Sequence, residues 1–250
     1  MTGCPEKLSL RVSTAKNLPV YRKVLLICHP YDALLEGVDV LLAEIGRRHP
    51  GSPVFLYAHS MGGNVTLNYL LRRKPELCGA VVAGPWLKLA ISRPPVAIMA
   101  RRIVERIAPG TTKLGYLLVA RSTSVPDMIR RNAEDSYRHG KVTARFFFSV
   151  RKAGLWALAH AGELSVPLLL LHGGDDRITS ISASRLFAER APYRCMFREW
   201  PGFRHELHNE TGRGEVFRFV FAVAEPAVNG RKKEWLYSSI EPLHPQSQHI

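Results

Sequence analysis

The sequence carries a serine, a carboxylate and a histidine in an order that can do acyl-transfer chemistry. Ser60 stands in the run Val54-Phe-Leu-Tyr-Ala-His-Ser-Met-Gly-Gly63. A strand-like apolar stretch leads into the serine, and a helical stretch begins at once after it. A serine on so sharp a strand-to-helix turn is presented to a substrate. Small residues two before and two after it, Ala58 and Gly62, are expected to let the neighbouring backbone clear the turn. The following helix points its N-terminal dipole, and the Met61 N–H, at the place where an oxyanion would form.

A hydroxyl is a poor nucleophile until a base takes its proton, and the base needs an acid to orient it. Asp175 and Asp176 follow the apolar run LLLLHGG, and His205 follows MFREW and a Pro-Gly turn. The order serine, acid, histidine is the one this kind of turn calls for. Asp176 and His205 are therefore the expected partners of Ser60. Asp175 is the rival acid, and His208 the rival base. His172 and His59 also lie close to the site in sequence. A histidine near a strand end is more often structural than catalytic, and only the three-part order raises His205 above that reading.

Such residues need a frame that brings them together, and the chain alternates short apolar runs with helical segments. That pattern predicts a mostly parallel sheet with crossover helices, an α/β fold. Strands are expected at Val24–Cys28, Val54–Ala58, Ala80–Ala83, Leu168–His172 and Cys195–Trp200. Helices are expected at Tyr31–Arg48, from about Met61 to Arg73, at Ile181–Arg190 and at Glu215–Ala224. In Tyr31–Arg48, Leu34, Leu35, Val38, Leu41, Leu42 and Ile45 recur at helical spacing. Between the third and fourth strands lies an insertion, about residues 88–160, with helical stretches at Val96–Ile107 and Ala144–Leu158. An insertion of that length in a compact domain is usually functional, most often a lid. One α/β domain is expected over residues 23–225, with no element assigned to 1–22 and a polar, disordered tail from Pro226 onward.

A chain of 250 residues with 46% hydrophobic and 22% charged residues can bury one sizeable core. Its net charge of +14 is uneven. Residues 91–160 hold thirteen Lys or Arg against four acids. Such a segment attracts anions, an anionic membrane surface among them. It has neither the stacking aromatics nor the motifs of a nucleic-acid binder, so no nucleic acid is expected. The four cysteines form no metal-ligand or C-x-x-C pattern and read as reduced thiols. No run has the character of a signal peptide or the length of a membrane span. The expected location is cytoplasmic, with peripheral membrane contact as its extension.

These residues resemble the monoacylglycerol lipase and lysophospholipase branch of the α/β-hydrolase superfamily. The resemblance rests on PVFLYAHSMGGNVTLNYLLRRKPEL, PWLKLA at 85–90, HGKVTARFF at 139–147, VPLLLLHGGDDRITS at 166–180 and WPGFRHELHNE at 200–210. It covers roughly residues 31–224. It implies Ser60 as nucleophile, Asp176 as acid, His205 as base and Met61 as one oxyanion donor. It also implies that residues 88–160 form a cap over an acyl channel, and that the substrate is a small-molecule acyl ester, a glyceride or lysophospholipid. No metal or organic cofactor is implied.

The N-terminal region departs from the family. Members carry a strand ending in His-Gly, whose loop gives a second oxyanion N–H, and then a further strand–helix unit with an R-G-H-G segment. Here VLLICHP ends in His29-Pro30, and YDALLEGVDVLLAEI follows directly. Pro30 has no N–H to donate, which leaves the Tyr31 N–H as the expected substitute. Losing one such donor costs about 10²–10³ in turnover. The alternative to an active esterase is therefore a catalytically impaired hydrolase fold that binds lipid or a partner.

Overall fold

The computed structural model describes residues 31–91, 112–114, 119–135 and 141–228. In chain order its elements are α1 (Tyr31–Arg48), β1 (Phe55–His59), α2 (Met61–Arg73), β2 (Gly79–Ala83), β3 (Thr112–Leu114), α3 (Val119–Ser122), α4 (Pro126–Glu134), β4 (Lys141–Thr143), α5 (Ala144–Ala159), β5 (Leu168–Gly173), α6 (Ile181–Arg190), β6 (Cys195–Trp200) and α7 (Arg213–Val228). Short 3₁₀ turns lie at Ala161–Glu163 and Leu207–Asn209.

Among the described residues the main sheet runs β1-β2-β5-β6, all parallel. The expected first strand, Val24–Cys28, and the helical stretch Val96–Ile107 lie outside the described residues. A strand buried on both faces reads as a continuous apolar run, and β5 (LLLLHG) is buried throughout. Its alternation divides the core. Leu168 and Leu170 join Ala80 and Val82 beneath α2, α5 and α6, where Leu67, Leu70, Ala157, Leu158 and Phe187 pack. Leu169 and Leu171 join Val81 and Ala83 on the opposite face, against Val216 and Val223 of α7. Each fully buried leucine contributes roughly 1.5–3 kcal/mol, so β5 anchors both layers.

α2 is enclosed on two sides. Leu67, Leu70 and Leu71 face the sheet, while Val65 and Tyr69 pack against Leu35 of α1. Two asparagines inside so apolar a helix need partners. Asn64 Nδ2 donates to the Trp86 carbonyl at 2.7 Å and to Val150 at 3.2 Å. Asn68 Nδ2 donates to Asn64 at 2.9 Å and Ala153 at 3.2 Å. Both tie α2 to α5.

α5 therefore does not behave as part of a cap, although the insertion was expected to reach residue 160. Val150, Ala153, Ala157 and Leu158 are buried, and a Cβ on Gly154 would collide with the Leu87 carbonyl. The apolar helix closes the core, with Thr143 capping it through Oγ1 to the Phe146 N–H at 3.2 Å. The antiparallel ribbon β3–β4 and helices α3 and α4 precede it. At the other end, α7 continues through Pro226 to Val228, past the point where the tail was expected to begin.

Candidate active site

Ser60, Asp176 and His205 follow β1, β5 and β6 at the carboxyl ends of the strands, where parallel sheets place their ligands. Ser60 has φ 56° and ψ −117° and directly precedes α2. A non-glycine residue in this region is strained, and such strain gathers at functional sites. Its backbone is held on several sides: the Ser60 N–H donates to the Ala83 carbonyl at 3.0 Å, and the Ser60 carbonyl accepts from Asn64 at 3.1 Å and Trp86 at 3.0 Å.

The glycine requirement falls one residue later than the sequence suggested. A Cβ on Gly62 would meet nothing within 4 Å among the described residues, whereas one on Gly63 would lie 2.8 Å from Val82 Cγ1 and 3.2 Å from Pro85. Close approach of α2 to β2, rather than clearance of the turn, makes glycine necessary there.

His205 Nε2 lies 2.8 Å from Ser60 Oγ, and Nδ1 lies 2.7 Å from Asp176 Oδ2. The geometry places the proton on Nδ1, donated to the carboxylate, and leaves Nε2 to accept from the serine. Asp176 is almost fully buried, and so is His205. The Asp176 carboxylate collects further donors. Oδ1 accepts from the N–H groups of Ile178 at 2.7 Å and Thr179 at 3.0 Å, and Oδ2 accepts from Thr179 Oγ1 at 2.7 Å. Burial alone would raise this carboxyl, but the hydrogen bonds from His172, His205 and Thr179 outweigh it and hold it well below the usual carboxylate range.

The rivals separate cleanly. Asp175 is exposed, and its N–H donates to the Phe203 carbonyl at 2.9 Å. His59 donates from Nε2 to the His205 carbonyl at 3.0 Å, with ring centroids 4.5 Å apart. Burial, then the neighbouring His205 and His208, push the His59 imidazole down to about 3, so it is neutral at ordinary pH. His208 meets the His59 ring edge-on at 4.9 Å. His172 also reaches Asp176, with Nε2 3.1 Å from Oδ2.

Met61 is the first residue of α2, whose first-turn N–H groups have no carbonyl partner inside the helix. Tyr31 opens α1, and its phenol donates to Asn64 Oδ1 at 2.6 Å. That contact stations Tyr31 beside the first turn of α2. Among the described residues no group of three or more His, Cys, Asp or Glu could hold a metal ion.

Several contacts were not expected from the sequence. Thr179 fixes both oxygens of Asp176, and an acid followed three residues later by Thr is a local pattern that signals such a turn. Glu206 and Glu210, both buried, bind the loop bearing His205 to the segment around α3 and α4. Glu206 accepts from Asn132 Nδ2 at 3.1 Å and Asn209 Nδ2 at 2.7 Å. Glu210 accepts from the Ser124 N–H at 2.9 Å, the Ser124 hydroxyl and the Arg204 N–H at 3.2 Å. Nothing in local spacing announces these long-range pairs.

A parallel sheet covered by helices on both faces, with a serine on the elbow after one strand and an acid and a histidine after two later ones, is the arrangement of the α/β-hydrolases. The chain belongs to the serine aminopeptidase S33 family of these hydrolases, which matches residues 26–212. It is 31% identical over 176 residues to phospholipase YtpA of Bacillus subtilis, covering 69% of this chain and 68% of that protein. It is 28% identical to a monoacylglycerol lipase of Mycolicibacterium smegmatis, over 70% of this chain and 63% of that protein. The fold is similar to the crystal structure of the Paleococcus ferrophilus monoacylglycerol lipase, with TM-score 0.70 and 26% identity over 80% of this chain and 76% of that one.

Proposed function

We propose that the chain hydrolyses carboxylic esters of lipids, with monoacylglycerol or lysophospholipid as substrate class, through an acyl-enzyme on Ser60. The observation that carries the reading is the continuous hydrogen-bonded line from Ser60 Oγ through His205 to Asp176. In the first step Ser60 Oγ attacks the ester carbonyl and His205 Nε2 takes its proton. The Asp176 carboxylate holds the resulting imidazolium in place. The tetrahedral oxyanion lies at the α2 N-terminus and accepts from the Met61 N–H, with the Tyr31 N–H as second donor. His205 then protonates the departing alcohol oxygen. Water, deprotonated by His205, attacks the acyl-enzyme, and His205 returns that proton to Ser60 Oγ as the acyl–oxygen bond breaks and the fatty acid leaves.

The relatives named for lipases and a phospholipase support a lipid ester over other acyl donors. Residues 91–160, with their surplus of basic side chains, recruit the enzyme to anionic membrane surfaces where such substrates partition. Among the described residues no helix is long and apolar enough to cross a membrane.

The test is labelling of purified protein with a fluorophosphonate, beside Ser60→Ala, followed by assay on a monoacylglycerol, a lysophospholipid and an aminoacyl anilide. Labelling lost in Ser60→Ala, with turnover of a lipid ester, is the expected result. A folded protein that does not label would favour the impaired, lipid-binding alternative, and preference for the anilide would overturn the substrate class. Activity on vesicles that ignores anionic lipid content would remove the membrane recruitment.

A further inference from the structure

Asp176 Oδ2 is approached by two histidines. His205 Nδ1 stands at 2.7 Å and His172 Nε2 at 3.1 Å. His172 belongs to β5, four residues before Asp176, and is completely buried. Its Nε2 also faces the Thr179 carbonyl at 3.4 Å, and its Nδ1 faces Ser184 Oγ of α6 at 2.9 Å. A carboxylate oxygen and a carbonyl oxygen both accept, so the proton of His172 lies on Nε2 and points at Asp176. The Ser184 hydroxyl, buried as well, then serves Nδ1 and fixes the ring plane.

We propose that His172, held by Ser184, is a positioning residue for the catalytic pair, a second imidazole that donates to Asp176 and sets both the direction and the strength of its hold on His205. The inference rests on the triad reading above and deepens it. An ordinary hydrophobic strand would end here in another leucine. Burying a complete imidazole instead requires partners for both nitrogens, and the Asp176 loop and α6 supply them.

Two physical consequences follow from the contact. The carboxylate cannot rotate away from His205 without giving up the His172 bond as well as that of Thr179. In addition, each donor on Oδ2 withdraws negative charge that would otherwise stabilise the imidazolium of His205. Removing the His172 donor leaves the carboxylate looser and its attraction for a protonated His205 greater. The other groups facing His205 remain as they are: Ser60 from the elbow, Thr179 Oγ1 at 3.2 Å, and His59 from β1, which in turn touches His208. Glu206 adjoins His205 along the chain.

The test compares second-order fluorophosphonate labelling of wild type, His172→Leu, His172→Gln and Ser184→Ala across pH 5–9, with melting curves for each. In His172→Leu the rate at neutral pH is expected to fall between about tenfold and about 10²-fold, the scale on which small misplacements of a catalytic group slow a reaction. The acid limb of rate against pH is expected to move upward, by on the order of one unit. His172→Gln, whose amide can still donate to Asp176, should recover part of both. Ser184→Ala should move the limb in the same direction by less. A folded His172→Leu with the wild-type rate and an unmoved limb would overturn the inference. So would a uniform loss across pH that His172→Gln fails to repair, which is the signature of packing alone. Should His172→Leu not fold, an unmoved limb in Ser184→Ala overturns it equally. Wild-type protein that does not label at all would instead bring down the triad reading itself.

Discussion

His59 donates a hydrogen bond from Nε2 to the backbone carbonyl of His205, across 146 positions of sequence, at 3.0 Å. The strand that presents the nucleophile thus also holds the loop that presents the base. Because the bond is a donation from a neutral ring with its pKa lowered to about 3, it has a defined pH dependence. The unfolded histidine gains a proton near its ordinary value of about 6.5, while the folded one does not until far lower. The stability contributed is complete above about 6.5 and is lost as pH falls through the interval towards 3. Unfolding free energy measured in urea from pH 7.5 to pH 4 should decline over that range, on the order of a few kcal/mol in all. In His59→Gln the decline should be shallower.

Gly84 follows β2 with φ 49°, and a Cβ there would stand 3.2 Å from His205 Nδ1 and 3.4 Å from Asp176 Oδ2. Gly84→Ala is expected to cost about 1–3 kcal/mol through backbone strain. The methyl also crowds the acid–base pair. Loss of fluorophosphonate reactivity at a temperature where the variant is fully folded would identify that second effect.

Removing the Glu210 carboxylate deprives the Ser124 N–H, the Ser124 hydroxyl and the Arg204 N–H of their acceptor. Glu210 is buried, but Ser124 is exposed and Arg204 half-buried, so water replaces part of the lost bonding and the cost is about 1 kcal/mol. Urea unfolding of Glu210→Ala should show that loss. Its turnover should fall as well, because Arg204 directly precedes His205.

Gly154→Ala tests whether α5 is core or cap. A methyl directed at the Leu87 backbone must displace the helix or the strand exit. Overpacking of this kind costs typically about 1–3 kcal/mol, and thermal denaturation should register it. A cap helix would accept the methyl without a change in melting temperature.

Much of this fold is written in local patterns. The runs LLLLH and VFLYA announce strands, the first buried throughout and the second half-buried, and Tyr31–Arg48 and Ile181–Arg190 are recovered as helices. Ser60, Asp176 and His205 were legible because a strand-to-helix turn and chain order constrain them jointly. The residues alone leave Asp175 as a rival and the family resemblance points to Asp176; the turn carries Asp176 inward to His205 and leaves Asp175 exposed. The helix Ala144–Ala159 was visible as an element, but its place in the core was not: small residues such as Ala153, Gly154 and Ala157 signal close packing without naming the partner. Neither the ribbon β3–β4, with three residues in each strand, nor the Glu206 and Glu210 contacts carries a periodic signal. Their partners lie up to 86 positions away.

The parallel order β1-β2-β5-β6 has a kinetic corollary. Ser60 and His205 are separated by 145 positions, and they meet only after β5 has found β2 and β6 has found β5. Pairings of such long range close large loops before any contact repays them, and they form slowly. Reactivity of Ser60 during refolding should therefore return later than helical signal, marking the moment when the last strand docks. During synthesis the hydroxyl emerges 145 positions before its base, so the nascent chain is chemically silent until His205 has been made.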